Sequence, residues 1–355
     1  MIEDSTFCSN SFLMFRSLID ENKMFKGGAI PRIFHPEAPF YDIKTVDDVE
    51  AAIKDYIDSA LSRGNKIALM LSGGIDSAIL AKYVPRGTKA YTFRSSLPGT
   101  IDESRQASIY AEVNGLDHEI IDVEWSDYLE TSPMLMKRQG YPIHSIAPQI
   151  YKAANKARRE GYTELLFGEN ADCLFGGQDG LFSVRRTTDE FMIRYSYVDP
   201  AMVLKDGYII RKPFEKYTDI QGYVNVQKFM EDFYLKESTY SYVNACDAAG
   251  VKFLSPYNKM RLSIKLDINR IKSGQNKYML RELFERLYPD LGQPIKIPMP
   301  RAVDQYLKDW SGPTRPEFRN DIDIDQLSGD QKWMIYALEW YLGLINMPPE
   351  QDKVK

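Results

Sequence analysis

Leu69-Met70-Leu71-Ser72-Gly73-Gly74-Ile75-Asp76-Ser77 is the stretch that decides the fold. Upstream, Ile67-Ala68-Leu69-Met70-Leu71 is a short, continuous apolar run, the pattern of a strand buried on both faces of a parallel sheet. Downstream, Ala78-Ile79-Leu80-Ala81-Lys82-Tyr83 continues as a helix rich in good helix formers. Between them, Gly73 and Gly74 let backbone N–H groups approach an anion closely, and the helix start adds its partial positive charge. Ser72 and Ser77 add hydroxyl donors, and Leu71 ends the strand behind them. Asp76 is misplaced beside a bare phosphate, so its presence points to a magnesium ion between carboxylate and phosphate. The spacing is not that of the common phosphate loop, Gly-x-x-x-x-Gly-Lys-Ser/Thr, nor the Gly-x-Gly-x-x-Gly of dinucleotide binders.

Working outward, apolar runs predict strands at 66–71, 89–94, 118–123 and 164–168, with helices near 76–84, 102–114 and 147–160. Thr45-Val46-Asp47-Asp48 reads as a helix cap with acid in the first turn, opening a helix that runs to Leu61. Strands alternating with helices predict an α/β fold, a doubly wound parallel sheet covered on both faces. Ligands of such sheets sit at the carboxyl ends of the strands. The chain divides into a lead-in of residues 1–44 and one domain over 45–355, with an α/β core at about 66–180 and a mostly helical part at about 181–345. Tyr and Phe are frequent through 191–257 and are expected in the core and in the walls of a cleft. Glycine and proline at 289–300 and 311–316 mark loops. Asp321-Ile322-Asp323-Ile324-Asp325 reads as a solvated turn, and Pro348 to Lys355 as a frayed tail.

Two further stretches carry chemistry. Glu164-Leu165-Leu166-Phe167-Gly168 is a second strand-to-loop run, followed by Glu169-Asn170-Ala171-Asp172-Cys173-Leu174-Phe175-Gly176-Gly177; the third is Gly274-Gln275-Asn276-Lys277-Tyr278-Met279-Leu280-Arg281-Glu282. Ser72-Gly73-Gly74-Ile75-Asp76-Ser77 resembles the pyrophosphate loop of the ATP pyrophosphatases, the group of asparagine, GMP and NAD synthetases. The second stretch resembles the Ser-Gly-Glu-Gly-Ala-Asp-Glu-Leu-Phe-Gly-Gly signature of the asparagine synthetase C-terminal domain, and the third its Thr-Lys-Tyr-Leu-Leu-Arg-Glu segment. The three occur in family order across roughly residues 46–310. On these motifs the chain is identified as a member of that family in a form without the glutaminase domain.

The resemblance implies an adenine nucleotide alpha-hydrolase-like sheet, with ATP and Mg2+ as cofactors, and a synthetase that adenylates a carboxylate, releases pyrophosphate and passes the acyl group to ammonia or an amine. It implies pyrophosphate binding by Ser72, Gly73, Gly74 and Ser77, and magnesium ligation by Asp76 and Asp172. Leu71, Phe93 and Gly168 would border the nucleotide, with Tyr91-Thr92-Phe93-Arg94 as the strand that reads the base; Phe93 as plain core is an equal reading. Lys277 would stabilise negative charge on pyrophosphate or on the tetrahedral intermediate, and Glu169 would orient or deprotonate the amine. Arg281 and Glu282 are expected to pair structurally, and Asp102-Glu103 to be helix-start acid.

The likeness frays where the acceptor should bind. Cys173 stands for a glutamate, Gln178 for a frequent tyrosine, and Tyr141-Pro142-Ile143-His144-Ser145-Ile146 for Glu-Pro-Phe-Ala-Asp-Pro. Ala248 to Pro256 stands for Leu-Glu-x-Arg-x-Pro-Phe-Leu-Asp and lacks its acid and arginine. The expected substrate is therefore a small-molecule carboxylate other than aspartate. His144 reads as a satisfied loop histidine, with a site role as the alternative. Residue 2 is Ile2 rather than a catalytic cysteine, and Cys8 is not a credible glutaminase nucleophile, so ammonia is expected free, from a separate glutaminase, or replaced by another amine. Two other readings stay open: an intramolecular cyclase of the β-lactam synthetase type, and a non-catalytic nucleotide-binding subunit. Sulfur transfer through Cys173 is disfavoured, because no second cysteine lies near it in sequence.

Composition narrows the classes. A net charge of −5 over 355 residues predicts no nucleic-acid footprint. Three dispersed cysteines fit neither a disulfide framework nor a zinc site. No run approaches the ~20 apolar residues of a membrane span, so no membrane contact and a cytoplasmic location are expected.

Overall fold

Ile67–Met70 forms β1 and is buried at every position. In the computed structural model, which describes residues 1–95, 97, 99–294 and 301–346, it is the centre of a five-stranded parallel sheet. The other strands are β2 (Lys89–Ser95), β3 (Asp117–Val123), β4 (Glu164–Leu166) and β5 (Lys252–Leu254), in the spatial order β3-β2-β1-β4-β5. Leu69 stands opposite Ala90 on one side and Leu166 on the other, and Leu166 opposite Leu254. The expected doubly wound sheet is present, with strand ends shifted by a residue or two.

Among the described residues the longer helices are α1 (Ser5–Phe15), α2 (Val46–Ser62), α3 (Ile75–Ala81), α4 (Ser104–Asn114), α5 (Trp125–Gln139), α6 (Ala147–Arg159), α7 (Thr188–Tyr195), α8 (Leu235–Ala248), α9 (Tyr278–Leu287) and α10 (Gly329–Asn346). The alternation of a strand sends successive side chains to opposite faces. Ile67 and Leu69 pack with Val49, Ile53, Tyr110 and Leu280 from α2, α4 and α9. Ala68 and Met70 pack with Tyr128, Ile150, Ala245 and Trp333 from α5, α6, α8 and α10. The sheet is thus covered on both faces.

The cap at α2 is as expected: Thr45 accepts from the Asp48 amide while Asp48 accepts from the Thr45 amide. Helix α5 was not anticipated, because Pro133 lies inside it and an internal proline normally argues against a helix. Strand β5 was also missed; three residues are too few to show a period.

Residues 1–44 are more than a lead-in to the sheet. Cys8 to Phe15 are all buried, α1 packs on α10, and Tyr41–Ile43 pairs in parallel with Met260–Leu262. An aromatic cluster joins Phe15 of α1 to Tyr195 of α7 and to Phe214 and Phe233. The expected tail from Pro348 to Lys355 lies outside the described residues, as does the last part of the 289–300 loop. Asp321, Asp323 and Asp325 are exposed, as a solvated turn requires. Among the described residues no helix is long and apolar enough to cross a membrane.

Candidate functional site at the switch between β1 and β4

The strand order turns at β1 and β4: the chain steps outward through β2 and β3 on one side and through β5 on the other. Loops that leave two such strands diverge and open a crevice between their carboxyl ends. Both glycine-bearing loops lie there. Leu71, Ser72, Gly74, Asp76, Ser77, Phe93, Gly168, Glu169, Asp172 and Lys277 all line one cavity. Gly73 lies in the same loop, with its N–H turned to Glu103.

The phosphate-type loop is held by its own hydroxyls. Ser77 Oγ accepts the Ser72 amide at 2.9 Å, and Ser72 Oγ accepts the Gly74 amide at 3.2 Å. Gly168 is tightly packed: a Cβ there would lie 3.0 Å from the Ser77 nitrogen and 3.1 Å from the Asp76 carbonyl carbon. The two loops therefore touch backbone to backbone. Tyr257 donates to the Asp76 carbonyl at 3.0 Å, fixing the first turn of α3 from below.

Lys277 joins the three motifs. Its ammonium lies 2.7 Å from an Asp76 oxygen and 3.0 Å from an Asp172 oxygen. Burial alone would lower its pKa, but the two carboxylates outweigh this and hold it above the usual lysine range. Lys277 itself sits in the left-handed region, at φ 52°, where it begins α9. Because Asp76 and Asp172 share one ammonium, they lie close enough to share another cation. Two hard carboxylate ligands beside phosphate are what magnesium uses, so the residues fit that ion. Among the described residues no group of three or more His, Cys, Asp and Glu side chains forms a metal cluster.

Glu169 is half-buried, accepts the Ser238 hydroxyl, and has its pKa pushed up to about 7, chiefly by desolvation of its carboxyl group and further by the Asp172 and Glu237 charges. A carboxyl poised near neutrality can take or give a proton at working pH.

Several expectations need correction. Arg281 and Glu282 do not pair with each other: Arg281 bonds the Asn276 carbonyl and side chain, and Glu282 pairs with Arg286. Adjacent residues on a helix point apart, whereas i,i+4 partners meet. Glu103 is not simply helix-start acid. Only 4% exposed, it lines the cavity and its carboxylate accepts the Gly73 amide at 3.0 Å. Its pKa is pushed up to about 7 by burial, against the Gly73 bond.

A second cavity of about 740 Å3 shares Gly168, Glu169, Asp172 and Tyr242 with the first. Its outer walls hold Arg16, His144, Arg194, Arg301 and Asp330. The three arginines were not legible in the sequence, since each comes from a separate element. Arg16 ends α1 and pairs with buried Glu237 at 2.6 Å; Arg301 pairs with Asp330 at 3.1 Å. Tyr195, Tyr197 and Tyr242 also line this cavity, as the aromatic richness of 191–257 led one to expect. His144 accepts the Ile146 amide at Nδ1, 3.0 Å away, and contacts Arg16 through Nε2. Burial, and then the Arg16 and Arg301 charges, keep it well below the usual histidine range and neutral. It is both satisfied and a wall of the cavity.

Against this geometry, comparison with known proteins adds a family. The sequence model described as asparagine synthase matches residues 48–260, more than half of the chain. No curated protein matches it. Among solved structures, the U34-tRNA thiolase NcsA from Methanococcus maripaludis with its [4Fe-4S] cluster is similar at 15% identity and a TM-score of 0.27, over 71% of this chain and 82% of that one.

Proposed function

This chain belongs to the asparagine synthase family, and from that premise we propose that it is an ATP-dependent synthetase that activates a small-molecule carboxylate other than aspartate and joins it to ammonia or an amine. The observation that carries this reading is the convergence of Asp76, Asp172 and Lys277, from three separate motifs, at the switch between β1 and β4.

A carboxylate does not react with an amine at neutral pH, because oxide is a poor leaving group. In the proposed first step a substrate carboxylate oxygen attacks the α-phosphorus of ATP, and the bond to the β-phosphate oxygen breaks. The amides of Ser72, Gly73 and Gly74 are engaged within the loop and by Glu103, so the Ser72 and Ser77 hydroxyls at the start of α3 would bind the departing pyrophosphate, and Lys277 would take up its growing charge. Asp76 and Asp172 would hold magnesium, which when bound neutralises phosphate charge. In the second step the amine nitrogen adds to the acyl carbon and AMP leaves. Glu169, with a pKa near neutrality, would accept the proton that the nitrogen loses.

The neighbouring cavity is where the acid would lie, sharing the Glu169 wall. Arg194 and Arg301 line it, so the family's missing arginine at 248–256 has substitutes from other elements, and its volume of about 740 Å3 exceeds what aspartate needs.

Incubation with ATP, magnesium, ammonium and pooled carboxylic acids tests the reading. AMP and pyrophosphate formed in dependence on one acid support it. ADP as the nucleotide product, or AMP formed without regard to any acid, overturns it.

A further inference from the structure

The stretch 248–256 is where the likeness to the family frays, and the proposed reaction uses none of its side chains. It contains β5 and runs into the tight turn Pro256–Lys259, which packs on α2. Three hydrogen bonds tie this segment to the two site loops. The Leu254 carbonyl accepts the Phe167 amide at 2.9 Å, at the end of the β4–β5 pairing. Ser255 Oγ donates to the Glu169 carbonyl at 2.8 Å. The Tyr257 hydroxyl donates to the Asp76 carbonyl at 3.0 Å, while its ring meets that of Phe175 edge-on.

Ser255 is 2% exposed and Tyr257 0%, so neither is a contact for a ligand. What they do, they do through Glu169 and Asp76. Glu169 is held at both ends, its carbonyl by Ser255 and its carboxyl group by Ser238 of α8. Asp172 has anchors of its own: its carbonyl accepts the Gly177 amide at 2.7 Å, and a carboxylate oxygen lies 3.0 Å from the Lys277 ammonium. Phe167 keeps its backbone bond to Leu254 whatever residue 255 is, and Gly168 stays packed on the start of α3. Loss of the Ser255 hydroxyl therefore frees Glu169 and leaves the pyrophosphate side in place. Loss of the Tyr257 hydroxyl frees the first turn of α3, which carries Asp76 and Ser77, and leaves the hold on Glu169.

We propose that the segment after β5 is a brace with two separable duties. Ser255 is a positioning residue for acyl transfer, acting through Glu169, and Tyr257 is a positioning residue for carboxylate activation, acting through Asp76. The inference rests on the synthetase reading. It gives a role to the stretch that lacks the family's acid and arginine: it fixes both loops on the sheet without touching substrate. No covalent step passes through either residue.

ATP–pyrophosphate exchange with a panel of C3–C8 mono-, di- and amino-carboxylic acids first picks out the acid. Exchange then reads activation alone, and amide synthesis from that acid reads both steps. Ser255→Ala and Tyr257→Phe each remove one hydroxyl and keep the packing, and circular dichroism checks the fold. Ser255→Ala is expected to lower kcat for amide synthesis about 10–10²-fold, as a misplacement of about 1 Å does, with exchange and the KM values for ATP and acid changed less than about twofold. Tyr257→Phe is expected to lower exchange about tenfold and amide synthesis by the same factor, and to raise the magnesium concentration that gives half-maximal exchange. A merely structural role would lower the unfolding temperature of both variants without separating the two assays in Ser255→Ala. Equal losses in the two assays for Ser255→Ala, or wild-type rates in either variant, overturn the inference and leave the synthetase reading intact. Absence of exchange with every acid in the wild-type protein overturns the synthetase reading, and this inference with it.

Discussion

The carboxyl group of Glu103 accepts the backbone N–H of Gly73 at 3.0 Å, across 30 residues of chain, and so sits on the glycine loop itself. The two segments approach closely there: a Cβ on Gly73 would lie 3.1 Å from the Glu103 Cβ and 3.2 Å from that of Gln106. A loop built to meet phosphate is held in shape by a carboxyl group.

Glu103 makes stability depend on pH. Its pKa is about 7 in the folded state against 4.5 ordinarily, so the folded chain binds more protons than the unfolded one between those values. Stability therefore falls as pH rises through that window, by a few kcal/mol for a shift of this size. Glu169, also near 7, adds a second contribution of the same sign. Urea unfolding at pH 5 and pH 8 should show the loss, and Glu103→Gln should reduce it by roughly half while keeping an acceptor for Gly73. An equal pH dependence in the variant would show that Glu103 ionises normally.

Lys277→Ala should remove most AMP formation, by about 10³-fold or more if the ammonium stabilises charge in both steps. It also leaves Asp76 and Asp172 facing each other without their shared cation. Asp76→Asn should lose activity as well, with the fold unchanged by circular dichroism. Near-normal turnover in either variant would remove that residue from the machinery.

Glu169 predicts a pH profile for amine transfer. Acting as a base, it must be ionised, so kcat/KM should rise with pH through about 7 and fall below it. Glu169→Gln should lower the rate about 10²–10⁴-fold and abolish that inflection. A profile whose inflection near 7 survives the substitution assigns the titration to another group.

Gly177 tests the placement of Asp172. A Cβ at Gly177 would stand 2.0 Å from Asp172 Oδ1 and 2.9 Å from its Cα, so Gly177→Ala must push the carboxylate away from Lys277. The expected phenotype is AMP formation lost as in Asp172→Asn, with a lowered thermal stability as well, because the added Cβ also meets the Asp172 backbone. Wild-type activity in Gly177→Ala would mean that the loop shifts freely, and that Asp172 needs no fixed position.

Much of this was legible from residue order. The glycine turn at 72–74, the apolar runs on either side, the capping box at Thr45 and Asp48, and the residues at the phosphate crevice are all local features. A strand, a turn or a cap is set by neighbours within a few residues, through backbone sterics and short-range hydrogen bonds. Helix α5 and strand β5 escaped because tertiary packing overrode an internal proline in one and supplied the pairing for a three-residue run in the other.

The sequence by itself thus determined the α/β class, the two loops and the identity of the charged residues they carry. The tertiary structure decided what surrounds them. Arg16 meets Glu237 across 221 residues, Lys277 meets Asp76 across 201, and Glu103 turns from a helix end into the glycine loop. Such partners leave no periodic trace, because each is brought there by the packing of whole elements on the sheet and not by anything in its own neighbourhood. The acceptor cavity is made of contacts of this kind, which is why the activation machinery can be read from motifs and the pocket beside it cannot.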